Sequence, residues 1–129
     1  MKVTLIIVPI EGVDDLKLVE SFDKVPGRYM RMEDSRYFNV TIKTDWKVFM
    51  YANEYFSPQL LAAFPSLLEN EEFDYFSFYK LRKEYGKLKY SISPRMYRSD
   101  IRMRDNMAYP VDIESLKGIP ILNGFVLQV

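Results

Sequence analysis

The sequence predicts an α+β fold: a single domain over residues 1–129, with a mostly antiparallel sheet of hairpins and meanders and two or three short helices. The length of 129 residues supports one hydrophobic core. Continuously apolar and strictly alternating runs indicate strands, and only a few segments carry helical spacing. Sequential strands interrupted by a few helices favour α+β over a doubly wound parallel sheet.

The first strand is expected over Lys2 to Val8, because its continuous apolar character is typical of a strand covered on both faces. A short helix capped by Asp14 should follow and end at Pro26-Gly27. Its inward-facing residues are expected to be Leu16, Val19 and Phe22.

A meander is expected next. Arg28 to Met32 is predicted as a weak strand, with a turn over Glu33 to Ser35. From Arg36 to Lys43 the alternation of Phe38, Val40 and Ile42 with polar residues predicts a strand. Thr44-Asp45 should turn the chain into a partner strand over Trp46 to Ala52.

Ser57-Pro58 predicts a helix start, an N-cap followed by proline at the first helical position. Pro65 should kink that helix or divide it in two. The apolar face of the helix comprises Leu60, Leu61, Phe64, Leu67 and Leu68. A short capped helix is expected over Asp112 to Lys117, ended by Gly118, and a hairpin over Ile119 to Leu127 with a type I′ turn at Asn123-Gly124.

Composition removes several function classes. Eighteen basic residues balance eighteen acidic ones, so no overall field draws the chain to DNA or to a membrane. Neither histidine nor cysteine is present, which excludes disulfides, imidazole and thiolate metal ligands, cysteine nucleophiles and histidine-dependent triads. No stretch approaches the length of a membrane span, and the early apolar run lacks a cleavage site, so we expect a cytoplasmic protein.

Possible catalytic patterns are weak. Ser77 to Lys80 matches S-x-x-K, but this segment alternates like a strand, which points the serine and lysine to opposite faces. The acidic run over Glu69 to Asp74 lacks a calcium-loop pattern and is better interpreted as a solvated linker. We therefore expect no catalytic activity, cofactor or metal, although an enzyme using carboxylate, lysine, arginine, tyrosine and serine chemistry stays open.

Charge is concentrated in one segment. Tyr79 to Arg104 contains nine basic and two acidic residues, whereas the remainder of the chain is net acidic. A hairpin with a four-residue loop over Lys83 to Gly86 would place four cations near its tip on one face. Those cations are Lys80, Arg82, Lys87 and Lys89. The other face would carry the pairs Leu81–Leu88, Tyr79–Tyr90 and Ser77–Ile92.

These features predict a small binding protein of the inhibitor, immunity or accessory type, whose protein partner has an acidic patch. Lys80, Arg82, Lys87 and Lys89 would form its electrostatic patch, with Tyr97, Arg98, Arg102 and Arg104 as adjacent interface anchors. Three alternatives stay open. The segment could be a solvated strand edge, or an RNA or single-stranded nucleic-acid site with Tyr85 or Tyr97 stacking on bases. The chain could also be a self-assembling structural or virion component.

Overall fold

A computed structural model describes residues 2–33 and 37–129. Within these residues seven strands form one curled, mixed sheet: β1 Val3–Val8, β2 Gly27–Arg31, β3 Trp46–Tyr51, β4 Glu54–Phe56, β5 Tyr75–Glu84, β6 Lys87–Arg98 and β7 Gly118–Gln128. Their order across the sheet is β2-β1-β3-β6-β5-β7-β4. The helices are α1 Leu16–Phe22 and α2 Pro58–Leu68, with a single 3-10 turn over Ile113–Ser115.

The α+β prediction holds at this level, but the expected mostly antiparallel sheet is wrong. Strand β1 runs parallel to both β2 and β3, and β5 runs parallel to β7. Helix α1 carries the chain from the end of β1 back to the start of β2, and such a crossover connection makes parallel pairing possible. The pairs β3–β6, β5–β6 and β4–β7 are antiparallel.

Each face of the sheet packs a separate apolar cluster. On one face α1 and α2 cover the sheet, and the rings of Phe22, Phe56 and Phe64 meet with centroids 5.5 to 6.5 Å apart. On the other face irregular segments over residues 37–43 and 99–110 cover β1, β3 and the C-terminal end of β6. Strand β1 is buried along its whole length, which confirms the strand predicted with both faces covered.

The early elements depart from prediction in detail. Phe22 is buried and Val19 packs against the core as predicted, but Leu16, the first residue of α1, is 61% exposed and Leu18 is buried instead. The described residues 37–43 form no strand, although Phe38, Val40 and Ile42 still pack towards the sheet. The segment therefore buries one side without ladder hydrogen bonds. The predicted turn over Glu33 to Ser35 falls mostly outside the described residues. Strand β3 forms as expected but pairs with β1 and β6.

Helix α2 is one continuous helix that contains Pro65, so of the two predicted outcomes, a kink or a division, the division is wrong. Ser57 caps it as predicted, with its Oγ accepting from the N–H of Leu60 at 3.2 Å. Burial of Leu60 and Phe64 holds the helix against the sheet on both sides of the proline. The expected helix over Asp112 to Lys117 is only the 3-10 turn, and the Asp112 side chain makes no capping hydrogen bond.

The expected C-terminal hairpin is wrong, because β7 is one strand with a wide bulge. Phe78 pairs with Ile121 while Lys80 pairs with Val126, so the intervening part of β7 loops outward. Gly124 keeps the left-handed conformation predicted for it, with φ at +87°. It lies against the start of α2, where a Cβ would overlap the backbone nitrogen of Leu60. The Asn-Gly pair therefore shapes a contact with α2 rather than a reversal of the chain.

Candidate functional site

The basic hairpin forms, but with a tighter turn than predicted. Tyr85 and Gly86 make a two-residue turn with φ values of 51° and 74°, as a type I′ turn requires. Glu84 therefore pairs with Lys87, and Arg82 with Lys89. The register differs from the four-residue-loop prediction by two residues. An even shift keeps every side chain on its predicted face, so the cations do share one side of the hairpin.

Most cations on that side already have carboxylate partners. Lys80 Nζ lies 2.8 Å from the Glu54 carboxylate. Arg82 and Lys89 both reach Glu84, at 3.3 and 3.8 Å. Among the described residues Lys87 makes no ion pair, and neither does Lys83 on the opposite side. The repulsion expected between opposed cations is therefore offset largely within the molecule itself.

A buried ion cluster centred on Glu54 explains the position of Lys80. The Glu54 side chain is fully buried and accepts two hydrogen bonds from the Arg95 guanidinium, at 2.6 and 2.8 Å. The N–H of Tyr51 donates a further hydrogen bond at 2.8 Å. Burial on its own raises the pKa of Glu54, but the hydrogen bonds and charges of Arg95 and Lys80 outweigh it and hold that pKa below its usual value. Lys80 therefore belongs to the interior of the fold.

Tyr97, predicted as an interface anchor, lies in the core instead. Its ring is completely buried against Phe49 and Tyr75. Its hydroxyl donates towards the carbonyl oxygens of Pro94 at 3.0 Å and Ala108 at 3.2 Å. Burial raises the pKa of this phenol. Tyr97 presents no surface to a partner, because its alternation places it on the side covered by residues 99–110.

Arg98 is also committed within the fold. Its guanidinium carbon lies 4.1 Å from the centroid of the Trp46 ring, in cation–π geometry. Its Nε donates to the carbonyl of Phe73 at 3.2 Å, and Nη2 donates to that of Asn70 at 2.5 Å. These contacts lock the end of β6 to the segment after α2. Arg98 is a structural residue of a polar cleft there.

The remaining predicted anchors lie far from the hairpin tip. Arg102 and Arg104 are exposed on the irregular segment after β6, and Arg104 stacks over Tyr109 at 5.6 Å. At about 3.3 Å per strand residue, Lys89 and Arg98 are roughly 30 Å apart along β6. The eight predicted site residues therefore do not form one surface. Only Arg82, Lys87 and Lys89 come together, at the exposed end of the hairpin.

A second surface, which contains none of the predicted site residues, lies on the opposite side of the hairpin. We call it the apolar face, formed by Tyr79, Leu81, Leu88, Tyr90 and Ile92. Leu88, Tyr90 and Ile92 are 61%, 64% and 47% exposed. Strand β7 extends the apolar face, since Leu127 pairs with Leu81 and the Phe125 ring lies 5.9 Å from that of Tyr90.

This apolar face continues the side of the sheet that residues 37–43 and 99–110 cover over β1 and β3. Along Lys87 to Ile92 every residue of β6 is exposed, so no segment of the described chain packs over this part. The alternation in the sequence indicates which residues share the face. It carries no signal that the face is uncovered, because cover depends on segments distant in the chain.

Comparisons with known proteins add no functional assignment. The sequence matches no protein-family model and no curated protein. Within residues 2–33 and 37–129, no group of three or more acidic side chains is arranged to hold a metal ion. In the same residues, no helix is long and apolar enough to cross a membrane.

Proposed function

We propose that the protein is a non-catalytic binding protein that engages another protein through the apolar face of the β5–β6 hairpin. The observation that carries this proposal is the contiguous exposure of Leu88, Tyr90 and Ile92 on a well-formed sheet. Contiguous exposed apolar patches often mark the sites at which proteins bind one another. Tyrosine in particular gives a large contact area at low conformational cost.

Charge at the hairpin tip supports an acidic partner. Lys83 lies on the side of the apolar face and Lys87 on the charged side, both next to the turn, and neither makes an ion pair with a described residue. Cations near an apolar surface can steer association while apolar contact supplies affinity.

Nucleic acid is the less favoured partner, because the basic segment does not form a phosphate track. Lys80 and Arg95 neutralise the buried Glu54, and Arg98 lies on Trp46 at the other end of β6. Few cations are left on any one surface, whereas nucleic-acid binding depends on many simultaneous phosphate contacts.

A matched pair of substitutions tests the proposal. Leu88 on the apolar face and Leu16 on α1 are the same residue type and are both 61% exposed. Each is changed to aspartate, and proteins captured from native lysate by the wild type and by each variant are compared quantitatively. We expect a captured protein that L16D retains and L88D loses. Identical capture by all three proteins would refute the proposed surface.

Two further measurements separate the alternatives. Salt-sensitive binding of short RNA or DNA, lost when Lys87 and Lys89 are changed to alanine, would replace the protein partner with nucleic acid. Concentration-dependent sedimentation that L88D abolishes would instead make the partner a second copy of this chain.

A further inference from the structure

We propose, on the basis of the proposed function, that the partner contributes an extended segment that adds as a strand to the open edge of β6 over Lys87 to Ile92. That segment alternates acidic with apolar residues. Strand addition is a common mode of peptide recognition, in which the main chain supplies affinity and alternate side chains supply specificity.

The edge is open because β6 is longer than its second neighbour. Strand β6 pairs with β5 along most of its length, but β3 reaches only its last residues, Met96 to Arg98. Within the part of the chain that the structure describes, no strand pairs with the other side of Lys87 to Pro94. Pro94 has no N–H and so ends the run of edge donors.

The geometry of the turn determines which backbone groups face outward. Glu84 and Lys87 flank a two-residue turn, so they form a hydrogen-bonded pair. Hydrogen-bonded and non-hydrogen-bonded pairs alternate along an antiparallel ladder. The N–H and C=O groups of Leu88, Tyr90 and Ile92 therefore point away from β5 and towards the open edge. These are the same residues whose side chains form the apolar face.

Side chains on either side of that edge specify the incoming segment. Lys87 and Lys89 lie on the charged side, across from Glu84 and Arg82 respectively, and the three cations outnumber that one carboxylate. An added strand places alternate side chains beside these cations and the others beside Leu88 and Tyr90. Acidic residues at the first set of positions and apolar residues at the second satisfy both sides. Lysines on an edge disfavour neutral or basic strands, and a second copy of β6 would bring two more lysines.

The test uses an eight-residue peptide in which glutamate alternates with valine, and a lysine–valine peptide as its charge-reversed counterpart. The intact protein should bind the first and not the second, more weakly at high salt. The double variant K87E/K89E should reverse that preference. Y90P removes the backbone N–H of residue 90, which points outward and pairs with no other strand of the hairpin. Y90A removes the same side chain but keeps this N–H. We expect Y90P to bind about tenfold more weakly than Y90A.

Amide exchange gives a direct readout and checks the fold of each variant. Peptide binding should slow exchange at Leu88, Tyr90 and Ile92, and leave the already paired amides of Lys87 and Lys89 unchanged. If Y90P disrupts the hairpin, the L88P and L88A pair replaces it. Equal weakening by the proline and alanine variants, or uniform protection, would overturn strand addition while leaving the proposed surface standing. Absence of peptide binding would also overturn strand addition. The proposed function is tested separately, by the comparison of L88D with L16D.

Discussion

Replacing Glu54 with glutamine should destabilise the protein more than any exposed charge change. The substitution keeps the shape of the side chain but removes the anion that faces Arg95 and Lys80. It also turns one accepting oxygen into an amide nitrogen that points at donors. Breaking a buried ion pair by removing one partner costs about 3–5 kcal/mol. A chain of this length is expected to have about 6–19 kcal/mol of stability, so E54Q should fold but melt roughly 10–20 °C lower.

The pH dependence of this effect has a definite sign. The pKa of Glu54 is below its usual value of 4.5 in the folded protein. The stability it contributes is therefore complete above about pH 4.5, where the unfolded chain is also ionised, and is lost as pH falls through the lower folded pKa. The difference in unfolding free energy between wild type and E54Q should be constant near neutrality and should narrow on acidification.

Urea denaturation followed by circular dichroism, repeated from pH 7 to pH 3, measures both effects. E72Q is the control, because Glu72 forms an exposed pair with Lys117 at 3.0 Å and should change stability little. Arg95→Met should cost much less in the E54Q background than alone, since the two groups act together. A loss below about 1 kcal/mol for E54Q, or a difference that does not narrow in acid, would refute a stabilising role for the cluster.

Three other predictions concern Gly124 and Tyr97, described above, and Lys47, a buried residue of β3. Burial lowers the pKa of Lys47 to about 8 in the folded protein. Between pH 8 and pH 10 the folded amine is therefore neutral while the unfolded amine still binds a proton, so the free energy of unfolding of the wild type should rise with pH over this range. In K47M this rise should be missing. G124A should lower the melting temperature much more than G12A, because both glycines have positive φ but only Gly124 lacks room for a Cβ; equal losses would count against the α2 contact. Y97F should cost about 1–3 kcal/mol in urea titrations, because it removes the buried hydroxyl whose single proton serves the Pro94 and Ala108 carbonyls, and partner capture should not change.

Local patterns in the sequence predicted local structure well. Ser57-Pro58 marks the start of α2, and the apolar run of β1 is buried on both faces, because capping and burial periodicity depend on neighbouring residues. The alternation over the hairpin also assigned its side chains to the correct faces. What it missed was the turn, since a tyrosine at positive φ carries no distinctive signal.

Long-range pairing determined the features that the sequence could not predict. Asn123-Gly124 has the local chemistry of a turn, yet contact with the start of α2 makes it a bulge. Glu54, Lys80 and Arg95 lie on three different strands, so nothing in their spacing indicates a buried cluster. Tyr97 and Arg98 looked like surface anchors in a basic segment, although Phe49 and residues 99–110 bury the first and Trp46 and Phe73 hold the second.

The position of β7 between β5 and β4 has a consequence for the order of folding. The β5–β6 hairpin closes through a two-residue turn and can form early from local contacts alone. The α2–β7 contact joins Ser57 to Phe125, 68 residues apart along the chain, and among the described residues β4 pairs with β7 alone. Closing a loop of that length costs conformational entropy before the contacts that it brings together can stabilise the chain, so such contacts form slowly. We therefore expect the hairpin to form early, with its apolar face uncovered, and docking of β7 to be the late, rate-determining step that closes the sheet.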